Sequence, residues 1–233
     1  MEMPFSPNEG KNLVISTEYG DYARYPVKTH VITKDDVLED VLDKYVKDYV
    51  QEGDTIIMSE KIVAISQGRA FPVDEIKVSG LAKFLSKFVT RTSYGIGLAM
   101  PQTMELCIRE VGRVKVIFAA IIAGIAKIFR KRGVFYNICG MKARAIDGPC
   151  EYTLPPYNHY AKMAPDKPDE VAERLSKHIG TDVVIIDAND IAATVLGKPR
   201  RDYEEKFASQ VFGDNPLDQC SQQTPIAIVR KAE

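Results

Sequence analysis

Apolar and polar positions along this chain follow two periods, one typical of helices and one typical of strands. Apolar side chains recur every three or four residues in residues 37–49, and Asp35 and Asp36 precede them. This spacing, with acidic residues in the first turn, predicts an amphipathic helix. Residues 81–88 and 169–179 show the same spacing, so they are predicted to be helical as well.

Short runs rich in β-branched residues predict the strands. They are residues 12–17, 25–33, 55–58, 182–186 and 226–230. Residues 134–148 are predicted to begin as a strand and to end in a turn at Asp147 and Gly148, which Pro149 closes. Strand and helix candidates thus follow one another along the chain, and no internal repeat is visible.

The most apolar segment, residues 114–129, raises the question of a membrane. It is shorter than a spanning helix and contains Lys115 and Lys127. A basic last turn with a glycine follows at residues 130–133, and many helices end in this way. We therefore predict a buried core helix here and no membrane association.

Composition and charge exclude further classes of protein. The chain has 233 residues, with 31 Lys and Arg against 32 Asp and Glu, so no net positive field favours nucleic acid. The four cysteines are widely spaced and form no zinc-binding pattern, which fits a reduced intracellular protein. The N-terminal segment lacks the basic and apolar regions of a signal peptide, so a cytoplasmic location is expected.

Two strand ends carry the candidate chemistry. They bear Ser59, Glu60 and Lys61 after one strand, and Asp187, Asn189 and Asp190 after the other. Open sheets bind ligands beyond the carboxyl ends of their strands, and acidic oxygens there can hold a divalent cation or accept hydroxyl groups. The same residue types are also common in plain turns, so a purely structural role stays open.

Four blocks of the sequence together resemble the coenzyme F420-0:L-glutamate ligase family, the deazaflavin γ-glutamyl ligases. They are KDDVLEDVLDKYV, GDTIIMSEKIVAISQGR, ARAIDGP and DVVIIDANDI, in this order along most of the chain. The second block is similar to the family sequence GDVLVVTSKIVSKAEGR, and Gly53, Asp54, Lys61, Gly68 and Arg69 are among the shared positions. The resemblance implies an α+β fold of the F420-0:γ-glutamyl ligase type, with two intimately packed subdomains, that commonly dimerises.

The resemblance also implies a reaction, in which GTP and a divalent metal, Mg²⁺ or Mn²⁺, drive amide (γ-glutamyl) bond formation to a carboxylate substrate. The carboxylate must be activated, most simply as an acyl phosphate, so cationic side chains and a metal must offset the phosphate charge. The predicted site residues are Lys61 and Arg69 as catalytic; Lys28, Thr29, Ser59, Glu60, Lys61 and Lys142 as nucleotide-binding; Asp187 and Asp147 as metal ligands; and Asn189 and His159 as substrate contacts.

Two places depart from the family pattern. Ile65 stands where the family often has a second lysine, and Lys142 and Ala145 stand where an AG(V/I)DxSN pattern supplies a metal-ligating aspartate and an asparagine. A protonated lysine cannot bind a metal. Either Asp147 takes over as the ligand, or Lys142 itself occupies the place of the cation and holds an anion.

These departures leave two functions open. The first is a ligase of the family type that acts on F420-0 or on another carboxylate. The alternative is a noncatalytic protein that binds an anionic ligand or a nucleotide and keeps the fold without the metal centre. For either function we expect one family domain over residues 1–233, with possible subdomains at residues 11–110 and 134–233 joined by the apolar helix at residues 114–130, in a homodimer.

Overall fold

The computed structural model describes residues 3–89, 97–131, 133–189, 192–218 and 222–232. By its internal contacts the chain divides into two compact units. Unit 1 comprises Met1–Gly68 and Pro165–Glu233, and unit 2 comprises Arg69–Ala164. The expectation of one family domain with possible subdomains at residues 11–110 and 134–233 stays a prediction.

Strands and helices are mixed along the described chain, so the predicted α+β class is confirmed. In chain order the elements are β1 (Val14–Thr17), β2 (Gly20–Val27), α1 (Leu38–Tyr45), β3 (Thr55–Ser59), α2 (Glu60–Ser66), β4 (Ala70–Pro72), α3 (Gly80–Leu85), α4 (Pro101–Val111), α5 (Arg113–Ile128), α6 (Val134–Cys139), α7 (Met141–Arg144), β5 (Tyr160–Lys162), α8 (Pro168–Ile179), β6 (Asp182–Ala188), β7 (Ala193–Gly197), α9 (Glu205–Val211) and β8 (Ile226–Lys231).

Unit 1 is built on a six-stranded sheet with the strand order β1-β2-β8-β3-β6-β7. β3 and β6 run parallel, and the other neighbouring strands run antiparallel. The central strands β3, β6 and β8 are buried along most of their length, which explains their nearly continuous apolar sequences. Helix α8 packs against β6 and α9 packs against β7.

Unit 2 is mostly helical, with α4 buried at its centre and the short strands β4 and β5 paired antiparallel. Its two ends lie side by side, because the backbone N–H of Met163 donates to the carbonyl of Arg69 at 2.9 Å. The matching ends of unit 1 are joined through the Gln67 side chain. Its Nε2 donates to the Asp166 carbonyl at 2.9 Å, and its Oε1 accepts from the Asp166 backbone N–H at 2.7 Å.

Helix α5 differs from the buried core helix predicted for residues 114–129. The helix is present, but only Val116 and Ala119 are buried, and large apolar side chains such as Phe118 and Ile128 are exposed. The prediction was wrong about burial because an apolar sequence on all sides does not indicate which side has a packing partner. In this fold only one side of α5 packs against unit 2.

Two further predicted strands differ in the structure. Residues 134–148 begin with β-branched and aromatic residues, yet they form α6 and α7, which are separated at Gly140 with its positive φ of 86°. Side chains three and four positions apart there pack on one core, and this tertiary packing outweighs the strand propensity. The strand predicted at residues 25–33 is β2, which ends at Val27, so Lys28 and Thr29 follow the strand.

Candidate functional site

The carboxyl ends of three strands, β2, β3 and β6, lie at the same end of the unit 1 sheet. We call this end of the strands the sheet edge. β2 and β3 each run antiparallel to β8, so they point in the same direction, and Val27 and Met58 lie opposite the same residue, Ile226. The residues that follow these two strands therefore emerge at the same edge. They include Lys28 and Ser59, which the sequence analysis assigned to the nucleotide.

Asp187 lies at the same edge of the sheet. β6 runs parallel to β3, and Ser59 is in register with Ile186, so Asp187 comes one position beyond the level of Ser59. Because ligands of open sheets bind beyond the carboxyl ends of parallel strands, this is the expected place for a site. The structure thus brings Lys28, Ser59 and Asp187 to one edge, while their individual roles stay predictions.

The next two predicted residues, Ser59 and Glu60, lie at the start of α2, which determines their surroundings. The Ser59 hydroxyl caps this helix by accepting from the backbone N–H of Lys61 at 3.4 Å. Glu60 is buried in the first helical turn, where the helix dipole favours a negative charge. Ser59 therefore has a structural role in addition to any contact with a ligand.

Thr29 is buried and is held by a residue that the sequence analysis did not select, Gln223. The Thr29 backbone N–H donates to the Gln223 carbonyl at 3.1 Å, and Gln223 Nε2 donates to the Thr29 carbonyl at 2.7 Å. The Thr29 hydroxyl donates to the His30 carbonyl at 2.8 Å. This pairing fixes the backbone that carries Lys28 at the sheet edge.

A cleft of about 240 Å³ lies immediately after this segment. It is lined by His30, Asp36, Asp40, Val41 and Lys44. The His30 ring bonds the Asp36 carboxylate through Nε2 at 2.8 Å and the hydroxyl of Tyr45 through Nδ1 at 3.0 Å. Burial raises the pKa of Asp36, but hydrogen bonds from Thr33 and His30 outweigh it, so that pKa lies below its usual value.

Asn189 closes the connection between β6 and β7. Its backbone N–H donates to the Ala192 carbonyl at 3.0 Å, and its side-chain oxygen accepts from the Ala192 N–H at 3.1 Å. These are the bonds of a turn-forming asparagine. Asp190, also named in the sequence analysis, lies outside the described residues.

A second group of predicted residues lies within unit 2, around Glu110. The Glu110 side chain is only 6% exposed, and it pairs with Arg69 through one carboxylate oxygen. Its other oxygen is 2.7 Å from Lys142 Nζ. Arg69 Nε also donates to the Ala164 carbonyl at 2.6 Å. The two predicted cations are thus held together by a buried carboxylate that sequence reasoning missed.

Asp147 is paired with Lys162 in the same unit. The Lys162 Nζ lies 3.1 Å from the Asp147 carboxylate and also donates to the Ala145 carbonyl at 3.1 Å. Two backbone hydrogen bonds join Asp147 and Lys162 as well. Lys162 is buried and was not predicted, because a lysine in a tyrosine-rich, proline-rich segment gives no sign of burial. His159 is exposed on a turn, with Asn158 Nδ2 at 3.2 Å from its Nε2.

The surroundings of the predicted metal ligands Asp147 and Asp187 supply few further ligands. Across the described parts of the chain, no group of three or more His, Cys, Asp or Glu side chains is arranged to hold a metal ion. Asp147 does not fit a metal, because the Lys162 ammonium against one of its carboxylate oxygens already supplies a positive charge there. At Asp187 the described residues offer a carboxylate without a full ligand set, so we derive no catalytic step through a metal.

The fold and these side chains define a class: an α+β protein that carries cationic and carboxylate side chains at the carboxyl ends of its unit 1 strands and in a buried cluster of unit 2. A model of the family described as F420-0:Gamma-glutamyl ligase matches residues 26–198, so the chain belongs to this family. Membership indicates a ligase-type function in the biosynthesis of coenzyme F420. No curated protein that was compared matches the chain. Among the described helices, none is long and apolar enough to cross a membrane.

Proposed function

We propose that this protein is a γ-glutamyl ligase that uses GTP to join glutamate to the carboxylate of F420-0 or of a related small molecule. The observation that carries the proposal is the family match over residues 26–198, a range that includes every site residue predicted from the sequence. The cationic side chains within this range support it, since both the nucleotide and the acceptor are anionic.

The proposed chemistry has two steps. An oxygen of the acceptor carboxylate attacks the γ-phosphorus of GTP, the bond to the β-phosphate oxygen breaks, and GDP leaves an acyl phosphate behind. The glutamate amine then attacks the acyl carbon, loses a proton, and expels inorganic phosphate as the amide forms. Both steps move negative charge between oxygens, so fixed cations that face those oxygens lower the barrier.

We assign these cations to the two groups of predicted residues. Lys28 and Lys61, near the sheet edge of unit 1, are proposed to contact the nucleotide phosphates with Ser59. In unit 2, Arg69 is proposed as a catalytic cation and Lys142 as a nucleotide contact, and the Glu110 carboxylate positions both side chains. Thr29 and Glu60 complete the proposed nucleotide contacts, and Asn189 and His159 the proposed substrate contacts.

Dependence on Mg²⁺ or Mn²⁺ belongs to the same proposal, with Asp187 as its ligand. When bound, such a cation neutralises phosphate charge. The pairing of Asp147 with Lys162 makes Asp147 a weaker choice than the sequence analysis assumed. We also propose that the protein works as a cytoplasmic homodimer, as the family resemblance led us to expect.

Incubation of the purified protein with F420-0, glutamate, GTP and Mn²⁺ tests the reaction directly. We expect the glutamyl amide by mass spectrometry and GDP in equal amount. Thermal unfolding supplies a second readout. GTP at about a hundred times its Kd stabilises a folded protein by about 2.7 kcal/mol, which is about 5–10 °C for a chain of this length.

A matched pair of lysine variants makes the experiment specific. Lys61→Met should reduce both the GTP-induced shift and the amide yield. Lys47→Met, which removes an exposed lysine paired with Asp43, should change neither. The ligase proposal fails if neither GTP nor GDP, with Mg²⁺ or Mn²⁺, raises the melting temperature at millimolar concentration.

A noncatalytic anion-binding protein is the second candidate. The observation that favours it is that an ammonium stands against the proposed metal ligand Asp147, with a second lysine, Lys142, close to Glu110 in the same unit. This candidate predicts that GTP or a simple polyphosphate stabilises the protein equally well with and without EDTA. A stabilisation by GTP that disappears on addition of EDTA would exclude it.

A further inference from the structure

One face of α5 carries a row of exposed apolar side chains, which we call the α5 stripe. It consists of Val114, Ile117, Phe118, Ile121, Ile125 and Ile128. The exposed fraction of these residues runs from 38% at Ile117 to 83% at Val114. The opposite side of the helix packs Val116 and Ala119 into the core of unit 2. One side of the helix is therefore anchored, while its large apolar side chains lie in contact with solvent.

The size of the stripe sets it apart from ordinary exposed apolar residues. Single apolar side chains on a surface need no explanation, but contiguous patches of several hundred Å² mark binding surfaces. A large side chain that is fully exposed presents roughly 150–250 Å². With the exposed fractions above, the stripe presents roughly 500–900 Å², which is at or above the largest patch of an ordinary monomer.

Cationic side chains lie on both sides of the stripe. Successive residues of an α-helix are rotated by about 100°, which places Lys115 on one side of the stripe and Arg113 and Lys127 on the other. All three are exposed, and Arg130 and Lys131 are exposed just beyond the end of the helix. Residues 111–146 contain eight Lys and Arg and no Asp or Glu. The stripe is thus flanked by positive charge.

The same excess of positive charge holds for the whole of unit 2. Residues 69–164 contain fifteen Lys and Arg against six Asp and Glu, whereas the rest of the chain contains sixteen against twenty-six. The positive charge is therefore concentrated in the unit that carries the stripe, although the chain as a whole is close to neutral. Anionic partners are attracted by such a unit, whereas a second copy of it brings like charge and is repelled.

We infer that the α5 stripe binds the surface of a bilayer that contains anionic lipids, with α5 lying in the plane of the interface. An apolar helix face with cationic flanks is typical of helices that bind membranes in this way. A helix that lies flat does not need the length of a spanning helix, and α5 with its 16 residues is about 24 Å long. The inference does not rest on the ligase reaction, and it revises the expectation of no membrane association.

The side chains of the stripe favour lipid over an acidic protein. All of them are aliphatic or Phe, so none can form a hydrogen bond with a partner. Protein interfaces carry about one hydrogen bond per 100–200 Å² and are enriched in Tyr, Trp, Met and Arg. Acyl chains offer no hydrogen bonds and require none. Long Lys and Arg side chains beside an apolar surface can extend to the lipid phosphates, which lie just outside the acyl region.

Sedimentation of the full chain with lipid vesicles tests the inference. We expect binding at low salt to vesicles of phosphatidylglycerol and phosphatidylcholine in equal parts, and binding at least about tenfold weaker to phosphatidylcholine alone. Added salt should raise the Kd for the anionic vesicles, because it screens the attraction of the cations without weakening the apolar contact. Absence of binding to the anionic vesicles at low salt would overturn the inference.

Two apolar positions at the centre of the stripe give the first variant. Ile121→Glu with Ile125→Glu should raise the Kd for the anionic vesicles about a hundredfold, because it places two carboxylates in the apolar contact. Val14→Glu with Val37→Glu is the matched control, since it makes the same change at two exposed apolar residues of unit 1 and should leave the Kd nearly unchanged. Equal binding by the two double variants would contradict the α5 surface.

The flanking cations give the second variant. Each Lys or Arg close to an anionic membrane strengthens binding about fivefold, so Lys115→Gln with Lys127→Gln should raise the Kd about 25-fold. Lys44→Gln with Lys47→Gln, which removes two exposed lysines of unit 1, is the control and should change the Kd little. An equal loss in both variants would show a response to net charge alone and would count against the α5 surface.

Fluorescence reports on the position of the contact. The chain contains no tryptophan, so a single introduced tryptophan gives the signal of one site. The emission of Phe118→Trp should shift to the blue on binding to the anionic vesicles and should be quenched by lipids with brominated acyl chains. Val37→Trp, at a similarly exposed position in unit 1, should show neither effect. Vesicle binding without a change in the Phe118→Trp emission would place the contact elsewhere and overturn the inference.

Measurements without lipid cover the other occupants of the stripe. A dimer in analytical ultracentrifugation, with protection of residues 113–128 from hydrogen exchange that rises with protein concentration, would assign the stripe to a second copy and overturn the inference. Binding of polyglutamate as tight as that of the anionic vesicles would assign the cations to an acidic protein and overturn it as well. The amide-forming assay, run without vesicles, reports separately on the ligase proposal.

Discussion

Replacement of Glu110 by Gln tests the buried cluster that holds Arg69 and Lys142. The substitution keeps the shape of the side chain but replaces the charged carboxylate by a neutral amide. The side chain can then no longer bind one cation with each of two oxygens. Water cannot replace the lost partner easily, because the Glu110 side chain is only 6% exposed. The variant therefore leaves two cations beside a neutral amide.

The cost can be worked out from the burial of each partner. Removal of one member of a buried ion pair destabilises a protein by about 3–5 kcal/mol. Arg69 is mostly buried, but Lys142 is half exposed and can be rehydrated. We therefore expect the free energy of unfolding to fall by about 2–4 kcal/mol. For a chain of this length the melting temperature should fall by about 5–15 °C.

Differential scanning calorimetry is the suitable assay, because it shows whether the two compact units unfold in one transition or in two. We expect the shift in the transition that includes unit 2. Glu170→Gln is the matched control: its carboxylate also pairs with a lysine, Lys167, but both side chains are largely exposed. If Glu110→Gln is no less stable than this control, the cluster does not stabilise unit 2 and the reasoning is refuted.

Three further predictions concern other parts of the chain. Gly197→Ala should destabilise by at least about 2 kcal/mol in urea unfolding, because the new Cβ would lie 2.4 Å from the Pro168 carbonyl oxygen; an unchanged midpoint would contradict this. Burial raises the pKa of Glu105, but hydrogen bonds from Ser79 outweigh burial, so the pKa lies below its usual value. The ionised Glu105 therefore stabilises the fold above the unfolded-state pKa near 4.5, and this stabilisation is lost as the pH falls through the lower folded-state pKa. Glu105→Gln should therefore flatten the acid limb of stability against pH, and an unaltered limb would count against it. Asp187→Asn should abolish the Mn²⁺-dependent part of the GTP-induced thermal shift, measured against the melting temperature of the same variant without GTP, and a retained shift would exclude Asp187 as the ligand.

The sheet edge was predictable from the sequence because its signals are local. Continuous apolar runs marked β3 and β6 as buried strands, and polar residues directly after each run marked where ligands approach. The parallel register of Ser59 with Ile186 then places these ends together. The sequence predicted Lys28 inside a strand, whereas β2 ends at Val27. The β-branched neighbours of Lys28 give no sign of this strand end.

The cluster in unit 2 was not predictable in the same way. Glu110 lies in the last turn of α4, where an acidic residue in the sequence indicates a solvated face of the helix. Its burial depends on Arg69 and Lys142, which are far from it in the sequence and come close only in the folded unit. Lys162 is hidden for the same reason, since its partner Asp147 belongs to a different segment. Pairings of this kind arise from tertiary structure and leave no periodic pattern.

The two hydrogen bonds between the Gln67 side chain and the Asp166 backbone bear on whether unit 1 can be produced without unit 2. It ties together the two places where the polypeptide leaves unit 1 and returns to it. In the sequence, unit 2 (residues 69–164) is thus a cassette, that is, an insertion between the two segments of unit 1, whose ends at the insertion point are already hydrogen-bonded to each other. A short peptide between Gly68 and Pro165 should give a miniature protein that retains the sheet, and the excised cassette could be exchanged among relatives as a single piece.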